Sequence, residues 1–391
     1  MPKTPRSVRD DGQAEGEAAA FSDFLATVRP AVEARLEVLW AAKRRRVKKL
    51  GDEVASLVDV GRDLTLRGGK RYRAAMLAAA YVGVARGRGG TGGALPGPAI
   101  AAGTALELLQ SYLLIQDDWM DGDVERRGGP SAHVALARRL GGEARGASAA
   151  ILASDLVWGM AVEELASADV PPARRTAAMS AFCRMHEDVV LGQQLDTMGA
   201  AIDVEVIHDL KTGAYTARGP LLLGATMAGA SPATLTALER FAAPVGVAFQ
   251  LRDDLIGTFA PPELAGRPRA SDVRSGKRSA VIRAAEPGLD AAGKRAFARA
   301  FGRADAGEAA VDAAVEAIAR TGARDVVHAR LRALCGRAER LARELPLAPR
   351  ARTLLAGGAA ALRLDPSHLG AVVSAPRAAT TSRAGRRGAR A

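Results

Sequence analysis

Residues 106–121 read LELLQSYLLIQDDWMD, an apolar helical run that ends in three carboxylates. At 3.6 residues per turn, Asp117 and Asp121 fall one turn apart on the same helix face. Two carboxylates so placed repel each other, and holding them on an apolar helix is costly unless a cation sits between them. Hard oxygen ligands suit magnesium, which keeps waters and binds through one or two carboxylates plus phosphate oxygens. Standing alone, such a cluster reads equally as a solvated helix end.

A second apolar helical segment ends in FQLRDD, residues 249–254, and supplies another carboxylate pair. Two acidic clusters facing one another across a helical bundle make a divalent-metal site. Cationic residues appear at corresponding places along the chain: GGKRYR at 68–73, Arg126-Arg127, Lys211 and Lys277. Acid for a metal and base for phosphate imply a diphosphate substrate.

The rest of the 391-residue chain supports a helical frame. Apolar residues recur at three- and four-residue spacing around 24–50, 69–85, 99–120, 144–167, 172–198, 204–216, 234–256 and 323–345, and alternating β-branched runs are missing. The sequence predicts an all-α bundle. No GxxxxGK[ST] loop or strand-borne GxGxxG supports a nucleotide-binding fold. Residues 1–20 and 366–391 lack apolar periodicity and are expected to be mobile, leaving 21–365 as one domain.

The net charge is +12, but aromatics are only 4%, which disfavours base-stacking nucleic-acid surfaces. Arg377, Arg383, Arg386, Arg387 and Arg390 in the C-terminal tail carry much of the excess. The run Lys43–Lys49 closes a helix, where cations oppose the helix dipole; it reads as a solvated face, with peripheral contact to an anionic membrane as the alternative. No apolar run is expected to reach a membrane span and the first residues are polar, so the expected location is cytoplasmic. Cys183 and Cys335 read as buried free thiols, and His133 and His186 as hydrogen-bonded structural residues.

Taken together, GGKRYR, QDDWMDGDVERRGGPSAH (116–133), Gly192-Gln193-Gln194-Leu195-Asp196, Lys211-Thr212 and FQLRDD resemble, in order, the motifs of the trans-polyprenyl diphosphate synthases. That resemblance implies an isoprenoid-synthase-type bundle around a large central cavity. It also implies coupling of isopentenyl diphosphate to an allylic diphosphate, and a homodimer. By the same resemblance Asp117, Asp121 and Asp253 hold Mg²⁺ on the allylic diphosphate, with Asp118 and Asp254 as neighbours. Arg126, Lys211, Arg267 and Lys277 contact that diphosphate, while Thr212 and Gln250 line the reacting carbons. Lys70, Arg73, Gln110 and Arg127 hold isopentenyl diphosphate.

Four positions depart from the family pattern: Ala74 where Pro is usual, Gln110 where many relatives have His, Arg267 where Lys is frequent, and Gly257 where the second aspartate-rich motif usually has its third Asp. Tyr112, five positions before Asp117, resembles the length-limiting aromatic of geranylgeranyl-forming enzymes. Farnesyl diphosphate synthesis, a class I terpene cyclase and a regulatory subunit of a heteromeric synthase are the alternatives. Asp155, Gly159 and Glu163 faintly echo a cyclase metal motif.

Overall fold

Amphipathic periodicity becomes helix almost throughout the residues described by the computed structural model, which are 5–85, 95–198, 206–207, 209–262 and 269–369. The elements are α1 (Pro5–Val47), α2 (Asp52–Leu66), α3 (Tyr72–Ala85), α4 (Gly97–Met120), α5 (Ala132–Leu140), α6 (Glu143–Ala166), α7 (Pro172–Thr197) and a π-helix (Asp209–Arg218). There follow α8 (Gly219–Ala228), α9 (Pro232–Phe259), α10 (Ser271–Arg274), α11 (Ala280–Ala285), α12 (Ala291–Ala300), α13 (Glu308–Arg320), α14 (Ala323–Arg343) and α15 (Pro349–Ala360). Among the described residues the strands are the antiparallel pair β1 (Glu125–Arg126) and β2 (Gly129–Pro130). The all-α expectation holds.

The core is built around α4, which packs on α6, α3 and α1. Its Ala102, Ala105, Leu108, Leu109 and Ile115 are fully buried, and each such leucine contributes about 1.5–3 kcal/mol. By length and composition α4 could cross a membrane, which corrects the expectation that no run reaches that size; two-thirds of its apolar window is buried inside the bundle. On the other side, α9 packs on α14 and on the π-helix, and α3 on α8.

Residues 5–20, expected to be mobile, are instead the first turns of α1, which lies along α15. Small residues hid this helix from the apolar pattern while allowing close packing: a Cβ on Gly357 would sit 1.9 Å from the Glu17 carbonyl oxygen. Glu17 is buried, and Arg343 grips its carboxylate at 2.7 and 2.9 Å. At the other end Pro366–Leu369 forms a 3₁₀ turn with Leu369 in the core, so regular structure continues past residue 366. The arginine-rich tail lies outside the described residues.

Helices α2, α5, α8, α12, α13 and α15 lie outside the segments picked out by apolar spacing; in α12 the inner positions are Gly293, Ala296 and Ala300, which give little apolar contrast. Two cations of the Lys43–Lys49 run are engaged within the bundle: Lys43 binds Glu163 at 2.6 Å and Arg44 binds Asp59 at 2.8 Å. Cys335 is buried as expected, whereas Cys183 is exposed on α7.

Candidate active site

The last turn of α4 carries the first aspartates. Asp118 is fully buried and accepts a 2.6 Å hydrogen bond from Arg126 Nε; Arg126 also donates to Asp123 at 2.9 Å. Arg126 stands on β1, so the short hairpin folds its guanidinium back onto the helix end. Burial pushes the Asp118 carboxyl up to about 6 although Arg126 opposes the shift. Asp121 closes the helix with its N–H on the Asp117 carbonyl at 2.9 Å. Its side chain is solvent-facing, yet the surrounding protein and the Asp117 charge push it up to about 6 as well.

Lys211 reaches the same aspartates from the π-helix. Its Nζ lies 3.3 Å from Asp117 Oδ1 and 2.7 Å from Asp196 Oδ2 on α7. Burial works against the ammonium, but Asp117 and Asp196 outweigh it and hold Lys211 above its ordinary pKa. Close backbone approach makes this reach available: a Cβ on Gly192 of α7 would stand 2.6 Å from the Lys211 nitrogen, and one on Gly246 of α9 would stand 3.2 Å from Gly213 Cα. The π-helix is wedged between two glycine faces.

The end of α9 carries the second aspartates, and they differ in kind. Asp254 is fully buried with both oxygens engaged: Gln250 Nε2 donates at 2.6 Å, the Ala280 N–H at 2.8 Å, and Lys277 Nζ lies 3.4 Å away. That places Asp254 as an internal anchor for α11 and the Lys277 turn, consistent with a neighbour's role. Asp253 is half-exposed, 3.9 Å from Arg252. Lys70 is pushed down by burial and by Arg252 while Asp253 pulls it up, which puts the GGKRYR turn beside the second aspartates.

Within that turn the arginines divide. Arg71 adopts φ +53° and is buried in a structural ion pair, Nη1 to Glu107 at 2.7 Å, with Nη2 on the Thr65 carbonyl at 2.9 Å. Arg73 donates to Thr216 Oγ1 at 2.9 Å, lies 4.3 Å above the Tyr215 ring, and keeps its buried Nε without a hydrogen-bond partner. Arg127, at φ +55°, donates to the Leu64 carbonyl at 3.2 Å. Burial pushes it down to about 10; Glu107 opposes this, and Arg71, Arg73 and Arg126 add their repulsion. Several guanidinium groups crowded behind one turn form a cationic pocket suited to a multiply charged anion.

Residues 54–318, more than half of the chain, match the polyprenyl synthetase family. The chain belongs to that family. It is a prenyltransferase of isoprenoid biosynthesis. Geranylgeranyl diphosphate synthase of Methanosarcina mazei is 33% identical over 247 residues, covering 61% of this chain and 71% of that one. (2E,6E)-Farnesyl diphosphate synthase of Mycobacterium tuberculosis is 34% identical over 212 residues, covering 53% of this chain and 56% of that protein. A crystal structure of geranylgeranyl pyrophosphate synthase from Corynebacterium glutamicum, complexed with isoprenyl diphosphate and magnesium, superimposes with a TM-score of 0.79 at 29% identity, over 86% of this chain and 98% of that one.

In this polyprenyl synthetase no group of three or more acidic, histidine or cysteine side chains among the described residues is already arranged to hold a metal ion by itself. Asp117 and Asp253 each face a cation instead, Lys211 and Arg252. The donors still fit a hard dication that brings its own water and phosphate ligands. Asp118 Oδ2 is buried with no hydrogen-bond partner, and Asp117 Oδ1 has the Lys211 ion pair but no hydrogen bond. Gly257 is buried, so a third carboxylate there would be a desolvated charge.

Gln110 is half-buried on α4 of the synthetase; Arg267 and the Thr212 side chain lie outside the described residues. Trp119 and Met120 are each 41% exposed next to the aspartates. Asp155, Gly159 and Glu163 line the exposed side of α6, with Glu163 tied to Lys43, which removes the cyclase echo. Sequence reasoning missed Asp196 as the partner of Lys211, Glu107 as the partner of Arg71, and Arg252. The GQxxD and FQLRDD motifs contained two of the three; only their contacts were invisible.

Proposed function

We propose that this prenyltransferase joins isopentenyl diphosphate to an allylic diphosphate, head to tail and trans, with magnesium, and that geranylgeranyl diphosphate is its main product. The separation of cations into two groups carries this reading. Arg126 and Lys211 sit on the first aspartates, whereas Lys70, Arg73 and Arg127 cluster about the GGKRYR turn. Two diphosphates need two anion sites, and a cyclase needs one.

Asp117, Asp121 and Asp253 would hold magnesium, which supplies positive charge at the leaving diphosphate. Lys211, Arg126, Lys277 and Arg267 bind that diphosphate and stabilise the charge that grows on its oxygens as the allylic C–O bond breaks. Lys70, Arg73, Gln110 and Arg127 fix isopentenyl diphosphate so that its double bond faces the cationic carbon and donates the electron pair of the new C–C bond. Thr212 and Gln250 line the reacting carbons, and apolar helices keep water away. The released pyrophosphate takes the final proton.

The chain grows along α4 from Asp117, and Tyr112 stands about 7.5 Å deeper at 1.5 Å per residue. A buried aromatic at that depth favours geranylgeranyl over longer products; the Mycobacterium relative makes farnesyl diphosphate the runner-up. A homodimer and a cytoplasmic setting belong to the same proposal. Purified protein incubated with labelled isopentenyl diphosphate, allylic primers and Mg²⁺ is expected to give geranylgeranyl diphosphate on chromatography. Hydrocarbon formed from geranylgeranyl diphosphate alone would point to a cyclase, and no elongation of any primer to a regulatory subunit.

A further inference from the structure

The aromatic side chains below the first aspartates come from three helices and meet at one level. Tyr112 of α4 is buried, its hydroxyl lies 3.1 Å from His186 Nε2 of α7, and its ring centroid is 5.2 Å from His186 and 5.8 Å from Trp158 of α6. Trp158 stacks on His186 at 4.0 Å and on Phe182, one α7 turn further from the aspartates, at 5.5 Å with the planes 1° apart. Gln116 bonds Ser154 at 3.3 Å, so α4 and α6 are in register and Trp158 falls one turn below Ser154, level with Tyr112. Burial pushes His186 below its ordinary pKa, favouring the neutral ring that stacks without charge.

A lone tyrosine pressed by a growing apolar chain can swing to another rotamer. Here hydrogen bonds at its tip, with His186 and with Gln116 one turn along α4, and a ring on its flank oppose that swing. We propose that product length is set by this layer as a unit, with His186 as the positioning residue that holds Tyr112 across the path and Trp158 as the next barrier behind it. The inference rests on the reading of Tyr112 as the end of the chain path and adds two residues on other helices to it.

Product ratios within one reaction provide the test, because they do not depend on how much of a variant is folded. Tyr112→Phe keeps the ring and loses the hydroxyl. It is expected to raise the ratio of the next longer product to the wild-type product by roughly three- to tenfold, the weight of one net hydrogen bond. His186→Leu should shift the ratio in the same direction by less, since Gln116 still reaches the hydroxyl, and His186→Gln, which keeps a polar atom within reach of it, should restore the wild-type ratio. Tyr112→Ala should lengthen the product by one isoprene unit, and Tyr112→Ala combined with Trp158→Ala by more.

If Tyr112→Ala leaves the length unchanged, the Tyr112 reading itself falls. If Tyr112→Ala lengthens the product while Tyr112→Phe, His186→Leu and the added Trp158→Ala change nothing, Tyr112 acts alone and the present inference is overturned.

Discussion

Lys211 binds Asp196 at 2.7 Å and Asp117 at 3.3 Å, so one ammonium ties α7, the π-helix and the end of α4 together. Asp196 thus aims the cation. Lys211→Ala is expected to lower kcat/KM by about a hundredfold or more, as when one preorganised group is taken from a developing charge. Asp196→Asn should cost roughly ten- to hundredfold through misplacement, with far-ultraviolet circular dichroism unchanged. Equal activity of Asp196→Asn and the wild type would show that Lys211 is placed without it.

Gly192→Ala tests the wedge from its backbone side. The new methyl would meet the Lys211 nitrogen at 2.6 Å, a backbone atom that cannot rotate away. Overpacking of this kind costs about 1–3 kcal/mol, read as a lower denaturant midpoint, together with a lower kcat as the π-helix shifts. A midpoint within error of the wild type would mean that the π-helix yields freely.

Arg71 and Glu107 give the largest expected stability loss. Both side chains are buried, so Arg71→Ala leaves Glu107 as a buried charge without its ion pair, while Glu107→Ala leaves Arg71 with only the partly exposed Glu33 at 3.2 Å. Breaking such a pair costs about 3–5 kcal/mol. Thermal or denaturant unfolding measures it, and a loss under about 1 kcal/mol would show that water reaches the surviving charge.

The aspartates set a pH dependence with a definite sign. In the folded protein the Asp118 and Asp121 carboxyls are held up to about 6, above the ordinary 3.8. Between those values the folded state binds more protons than the unfolded one, so metal-free protein loses stability as pH rises through that window. A dication offsets the cost only where the carboxylates are ionised. The rise in melting temperature on adding Mg²⁺ should therefore be larger at pH 7.5 than at pH 5. An equal rise at both values would separate metal binding from these carboxyls.

The sequence by itself determined the elements with strong local signals. Apolar spacing gave α4, α6, α7, α9 and α14, and five ordered motifs gave the family, because periodicity and motif spacing lie within a few turns of one chain segment. It misjudged residues 5–20, where alanine and glycine pack closely but carry no apolar contrast. It also grouped the GGKRYR cations together, although Arg71 turns inward to Glu107 while Lys70 stands by Arg252 and Asp253.

Only the tertiary structure decided which charge meets which. Lys211 with Asp196, Arg126 with Asp118, Asp254 with the Ala280 N–H, and Tyr112 with Trp158 and His186 are contacts between groups on different elements. Such pairings depend on how helices pack and where glycines let backbones approach. A linear pattern records which groups are available, and burial selects which of them must find a partner.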